Sequence, residues 1–112
     1  MEIKQSMEQN ILVLTLDGEL MGGPDADIFR RTIDSAIEDD KIQVVVDMEK
    51  VSWMNSSGLG MLISALSSLR SSSGDLKLAN VSDRLRRPLE ITKLNTVFQE
   101  FASVSAAIQS FK

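Results

Sequence analysis

The chain contains neither cysteine nor histidine. Without cysteine there is no disulfide framework, no thiol chemistry and no cysteine metal site, which agrees with a cytoplasmic location. Without histidine there is no imidazole base for a catalytic triad or dyad, and no His-based metal site. No cofactor and no metal site are expected. Long hydrophobic runs are missing too. No stretch approaches the roughly 18 apolar residues of a transmembrane span, so no membrane insertion is expected. The opening M-E-I-K-Q-S-M-E-Q lacks the basic start and apolar run of a signal peptide.

Positive charge is in short supply. Lys and Arg total 12 against 16 Asp and Glu, a formal net charge of -4. A mildly acidic domain is a poor nucleic-acid binder, so nucleic acid is not an expected partner. Arg84, Arg86 and Arg87 form a short local cluster. It reads first as a solvated helix face and second as a phosphate or partner contact.

What is present points to one domain over residues 1–112, since domains commonly fall near ~100–150 residues. With 43% hydrophobic residues the chain can bury a core. Ile3, Gln5 and Met7 suggest an edge strand, and Ile11 to Leu16 a buried one ending at Asp17-Gly18. L-M-G-G-P-D is a loop whose Pro24 suits a helix start, where its missing N–H is not needed. Ala26, Phe29, Ile33, Ala36 and Ile37 share one helical face, and the helix should end in the polar stretch from Glu38 to Lys41.

Ile42 to Val46 is β-branched and apolar, as in a central strand. Asp47 to Lys50 reads as a polar link before Val51 to Met54 turn back toward the core. Leu59, Leu62, Ile63, Leu66 and Leu69 follow the spacing of an amphipathic helix, with Gly74 as a terminator. Leu76 to Ala79 is another strand. Ser82 can cap a helix carrying Leu85 and Leu89, in which Pro88 predicts a kink or two short pieces. A short strand near Val97-Phe98 and a last helix with Val104, Ala107, Ile108 and Phe111 complete the chain. This alternation predicts an α/β domain with a mixed, mostly parallel β-sheet and helices packed alongside.

The stretch W-M-N-S-S-G-L-G-M-L-I, from Trp53 to Ile63, poses a question of redundancy. One small polar residue suffices to cap a helix, yet Asn55, Ser56 and Ser57 stand in a row. Plain capping explains one of them. Another serine is then free to point outward, and a helix N-terminus tolerates a phosphate, because its dipole and free N–H groups favour an anion. Nucleophilic catalysis is disfavoured: there is no histidine, and Lys50 and Lys93 could approach only through the fold. The G-x-S-x-G elbow and the Walker lysine pattern are absent. The chain is expected not to be an enzyme. S-G-L-G alone is a weak nucleotide-binding signal.

V-D-M-E-K-V-S-W-M-N-S-S-G-L-G-M-L resembles the central motif of STAS domains (sulfate transporter and anti-sigma factor antagonist). L-D-G-E-L and G-D-L-K-L-A-N-V-S match further blocks at consistent spacing, so the resemblance covers nearly the whole chain. A free-standing domain of this kind is similar to the anti-sigma factor antagonists. The resemblance implies a single STAS-like domain that binds an anti-sigma factor serine kinase and so frees a sigma factor. It implies phosphorylation by that kinase on the first serine of the pair, Ser56, with release of the partner and resetting by a serine phosphatase. Met21, Gly22, Gly23, Asn55, Ser57, Gly58 and Met61 are the expected partner-binding residues around it. The chain departs from the family pattern at Asn55, where the family usually has Asp, and at Met21, where an Asp commonly follows Gly-Glu-Leu. Met21 could offer a soft contact or fill a gap in the turn. Trp53 falls where the family has a core aromatic and is expected in the core. Asp47 either braces the serine turn or is solvated. STAS domains also serve as constitutive assembly modules of membrane transporters or sensory complexes, which is the alternative.

Overall fold

The computed structural model describes residues 1–91, 93 and 97–112. In chain order the elements are β1 (Glu2–Glu8), β2 (Ile11–Leu20), α1 (Pro24–Glu38), β3 (Gln43–Met54), α2 (Ser56–Ser71), β4 (Asp75–Ala79), α3 (Asp83–Ile91), β5 (Gln99–Phe101) and α4 (Val104–Ser110). The five strands form one sheet in the order β1-β2-β3-β4-β5. β1 pairs antiparallel with β2, and every later pair is parallel. This is the mixed, mostly parallel sheet that the alternating pattern predicts.

Strands laid down side by side in one direction place their crossover helices on one face. The main core accordingly sits between the sheet and α1, α2 and α3. Leu14 and Leu16 of β2 and Val46 of β3 meet Phe29 of α1, Leu62 of α2 and Leu85 of α3 there. Each fully buried side chain of this size contributes roughly 1.5–3 kcal/mol. The opposite face is covered more sparingly. Ala107 and Ile108 of α4 pack on Ile11, Val13, Val45 and Ala79. Since both faces of β3 are covered, Val44, Val45 and Val46 are all fully buried. That accounts for a continuous apolar run in place of alternation.

Lys77 lies on the α4 face and is buried. Its ammonium donates to the carbonyl of Ser110 at 3.2 Å and to its hydroxyl at 2.8 Å. It also stands 4.1 Å from the ring centroid of Phe111. The end of α4 is thereby fastened to β4.

Several expectations change at the sheet's carboxyl end. β2 does not stop at Leu16 but runs to Leu20, and β3 carries through Asp47 to Lys50 without a link. Polar residues stay in these strands because each strand pairs with the other, as at Asp17 with Lys50, and the pairing continues to the apolar Leu20 and Met54. Irregularities between Thr15 and Asp17 and between Gly18 and Glu19 shift the register on the way. Trp53 is not in the core: it is 43% exposed, while its neighbour Met54 is 1% exposed. Successive strand residues face opposite ways, so Met54 turning inward sends Trp53 out. α3 is a single helix through position 88 rather than two pieces. β5 begins at Gln99, just after the buried Phe98. α2 ends through Ser73, not Gly74, in the left-handed conformation (φ +68°), and the Gly74 N–H follows by donating to the Leu69 carbonyl at 2.7 Å.

Candidate functional site

β2 and β3 end side by side, with Leu20 opposite Met54. Loops leaving the carboxyl ends of adjacent parallel strands are the usual place for a site in an α/β sheet. Here one exit is Met21-Gly22-Gly23, leading into α1, and the other is Asn55, leading into α2.

Asn55 is extended and caps α2, its side-chain oxygen accepting from the Gly58 N–H at 2.8 Å. Its amide nitrogen donates to the Met21 carbonyl at 3.2 Å. Its own backbone N–H donates to the Leu20 carbonyl at 3.2 Å. A carboxylate could cap the helix but has no proton to give Met21. Asn at this position therefore joins the two loops, which Asp could not do in its ionised form.

Two glycines let the loops touch. A Cβ on Gly58 would overlap the Leu20 carbonyl oxygen, so the first turn of α2 sits directly on the end of β2. Gly22 has φ +83°, and a Cβ there would come within 2.7 Å of the Ser57 Cβ. Only glycine meets both demands at that position.

Ser56 and Ser57 lie inside the first turn of α2, which begins two residues before the expected start near Gly58. Both are exposed. Among the described residues neither hydroxyl is bonded to a basic side chain. The leading N–H groups of a helix have no intrahelical partner and carry partial positive charge. α1 offsets this with Asp25 and Asp27 in its first turn, whereas α2 has no acidic residue there. Its positive end is open to an anion.

The expected partner-binding residues divide by exposure. Met21, Gly23 and Ser57 are exposed and Asn55 is half-buried. Met21, at 42% exposed, is not a buried gap-filler. Gly22, Gly58 and Met61 are buried. Met61, 7% exposed, belongs to the core and leaves little side chain for a partner to touch. Asp47 is neither freely solvated nor a brace for the serine turn. Its carboxylate accepts from the Asn80 side-chain amide at 3.0 Å and from the Glu49 N–H at 3.1 Å, tying β3 to the end of β4.

Beside Ser57 a groove runs between α1 and α2. Asp27, Arg30 and Asp34 form one wall, Gly60 and Ser64 the other, with Phe29 and Met61 beneath. Nothing in the sequence pattern sets the α1 charges next to the serines. The small residues of α2 were visible at helical spacing, but only the packing of α1 against α2 reveals their opposite wall. In the arginine cluster, Arg86 pairs with Asp83 at 2.9 Å and Glu100 at 3.3 Å, so it is a structural tie rather than a merely solvated group.

The STAS domain family matches residues 3–107. An anti-sigma-B factor antagonist of Listeria monocytogenes is 43% identical over 54 residues, 48% of this chain and 47% of that protein. The match thus spans about half the length of such curated relatives. The phosphorylated form of the Bacillus cell fate determinant SpoIIAA superposes with a TM-score of 0.76 at 24% identity, covering 99% of this chain and 100% of that one. A sulfate transporter family protein from Wolinella succinogenes superposes with a TM-score of 0.80 at 19% identity, covering 94% and 87%. These likenesses show the fold. With matching sequence blocks in order, a five-stranded mixed sheet and the serine pair at the start of α2, the chain belongs to the STAS domain family.

Proposed function

We propose that this chain is an anti-sigma factor antagonist: a binding protein, not an enzyme, that captures a serine-kinase anti-sigma factor and is released when Ser56 is phosphorylated. The observation that carries the reading is the division of labour at the start of α2. Asn55 does the capping, and Ser56 stands exposed one residue later in a first turn with no acidic residue. The antagonist relatives and a fold neighbour solved in a phosphorylated form support it.

The docking surface is Met21, Gly23 and Ser57, continued by the groove between α1 and α2. A phosphate on Ser56 adds about −1.5 to −2 charges at its edge without melting the helix. The partner must then desolvate or repel that charge, and ~2.8 kcal/mol of penalty already means about a hundredfold in affinity. No refolding is needed for the switch, and a serine phosphatase restores binding.

The test is co-purification from the source cells with wild-type and Ser56→Asp chains, with phosphosite mapping. A kinase-type anti-sigma factor retained by the wild type alone, and phosphate on Ser56, support the switch. A constitutive assembly module, favoured by the uncharged Asn55, would instead hold its partners equally through both chains and carry no phosphate.

A further inference from the structure

We propose that the cleft between the end of β3 and the outer face of α3 docks an acidic segment of a partner protein. Trp53, Asp83, Arg84, Arg87 and Ile91 line it. Trp53 and Ile91 are 43% and 71% exposed. Arg84, Arg87 and Ile91 follow one another at three- and four-residue steps, so they form one stripe of α3. Leu85 and Leu89 turn the opposite side of that helix into the core. The cleft therefore offers two apolar side chains with two guanidiniums between them.

Charge selects the occupant. Asp83, the carboxylate of the cleft, is engaged by Arg86 at 2.9 Å. Among the described residues Arg84 and Arg87 have no ion pair. Arg84 donates to the Ser52 carbonyl at 3.4 Å, which holds it at the cleft without neutralising it. Uncompensated positive charge in a chain of net charge -4 is a local feature. Guanidinium groups take carboxylates in a two-pronged geometry, and Trp and Arg are the residue types that carry most energy at protein interfaces. Nucleic acid fits poorly, since two arginines displace few counterions and the remaining charge repels phosphates. A bilayer surface needs a longer basic and apolar face than this stripe provides. The fitting occupant is a segment with carboxylates about one helical turn apart and an apolar side chain for Trp53 and Ile91. The cleft joins the end of β3 to α3, whereas the groove beside Ser57 lies between α1 and α2, and the two share no lining residue.

The chain's only tryptophan is Trp53 and it has no tyrosine, so its emission reports on this cleft alone. Phage-displayed random peptides would be selected on the full chain and counter-selected on an Arg84→Glu/Arg87→Glu variant shown by circular dichroism to be folded. An Arg84→Gln/Arg87→Gln pair replaces it if the reversal prevents folding. Enriched sequences should combine Asp or Glu with an aromatic or Leu. A synthetic copy should shift Trp53 emission saturably, weaken with added salt, and bind the arginine variant at least about tenfold less tightly. Ser56→Asp should bind the same peptide with unchanged affinity, whatever becomes of the serine switch. The proposal is overturned by no enrichment, or by enrichment of basic or uncharged sequences. It is equally overturned by peptides that ignore the arginine pair. A concentration-dependent emission shift of the chain alone would overturn it by making a second copy the occupant.

Discussion

One amide side chain holds two loops together: Asn55 accepts from Gly58 at 2.8 Å and donates to the Met21 carbonyl at 3.2 Å. A helix cap is worth typically about 1 kcal/mol, and a further net hydrogen bond about 0.5–1.5 kcal/mol. Asn55→Ala loses both and should lower stability by about 2 kcal/mol in urea unfolding. Asn55→Asp keeps the cap and gains favourable charge at the helix start, but it sets a carboxylate against the Met21 carbonyl. It should cost about half as much. If Asp proves as stable as Asn, the bond to Met21 is worth no more than the charge gained at the helix start.

Two glycines of α2 should respond to alanine with opposite signs. At Gly58 the added methyl meets the Leu20 carbonyl, a backbone group that cannot turn aside, whereas at Gly60 nothing lies within 4 Å. Gly60→Ala removes unfolded-state entropy at a helical position and should stabilise by about 0.4–1 kcal/mol. Gly58→Ala should destabilise by about 3 kcal/mol or prevent folding, the upper range for forced overpacking. Thermal unfolding of the two variants side by side decides the matter. A tolerated Gly58→Ala would mean that α2 does not sit on β2 as described.

The fastening of α4 can be tested through Lys77. Lys77→Met keeps a stem of similar length but gives up the donations to Ser110 and the contact with the Phe111 ring. Loss of a charged hydrogen bond costs about 1.5–3 kcal/mol when the acceptor is left buried, and less where Ser110 can turn to water. The expected result is a drop of about 1 kcal/mol, with faster amide hydrogen exchange concentrated in residues 104–111. Uniform exchange across the sheet would show that Lys77 does not act through α4.

Most of the fold was legible because two of its signals are clear. The β-branched run Ile42 to Val46 reads as a central strand, and Leu59 to Leu69 keeps helical spacing for three turns. What the sequence concealed was fixed by pairing between distant segments. Asp47 to Lys50 looks like a turn until β2 is laid beside it, and the irregular register of that pair decides that Met54 turns inward in place of Trp53. At the candidate site, the capping by Asn55 follows from residue type. Its bond to Met21, the fit of Gly22 against Ser57 and the buried state of Met61 depend on contacts that no local pattern encodes.

Ser56 separates stability from binding. It is exposed at the first position of a helix whose opening turn holds no carboxylate, so a negative charge there meets an uncompensated dipole. Ser56→Asp should raise stability by about 0.3–1 kcal/mol at low salt, and the gain should shrink as salt is added. Ser56→Lys should lower it by a similar amount. Ser56→Ala should change it little and keep the partner bound. For the charge switch, Ser56→Asp must weaken partner binding by about a hundredfold while the protein itself becomes more stable. Urea unfolding and titration calorimetry on the same preparations measure both quantities. Weakened binding accompanied by lost stability would trace the effect to damage at the helix start, and equal binding by the Asp and Ala variants would remove charge from the mechanism altogether.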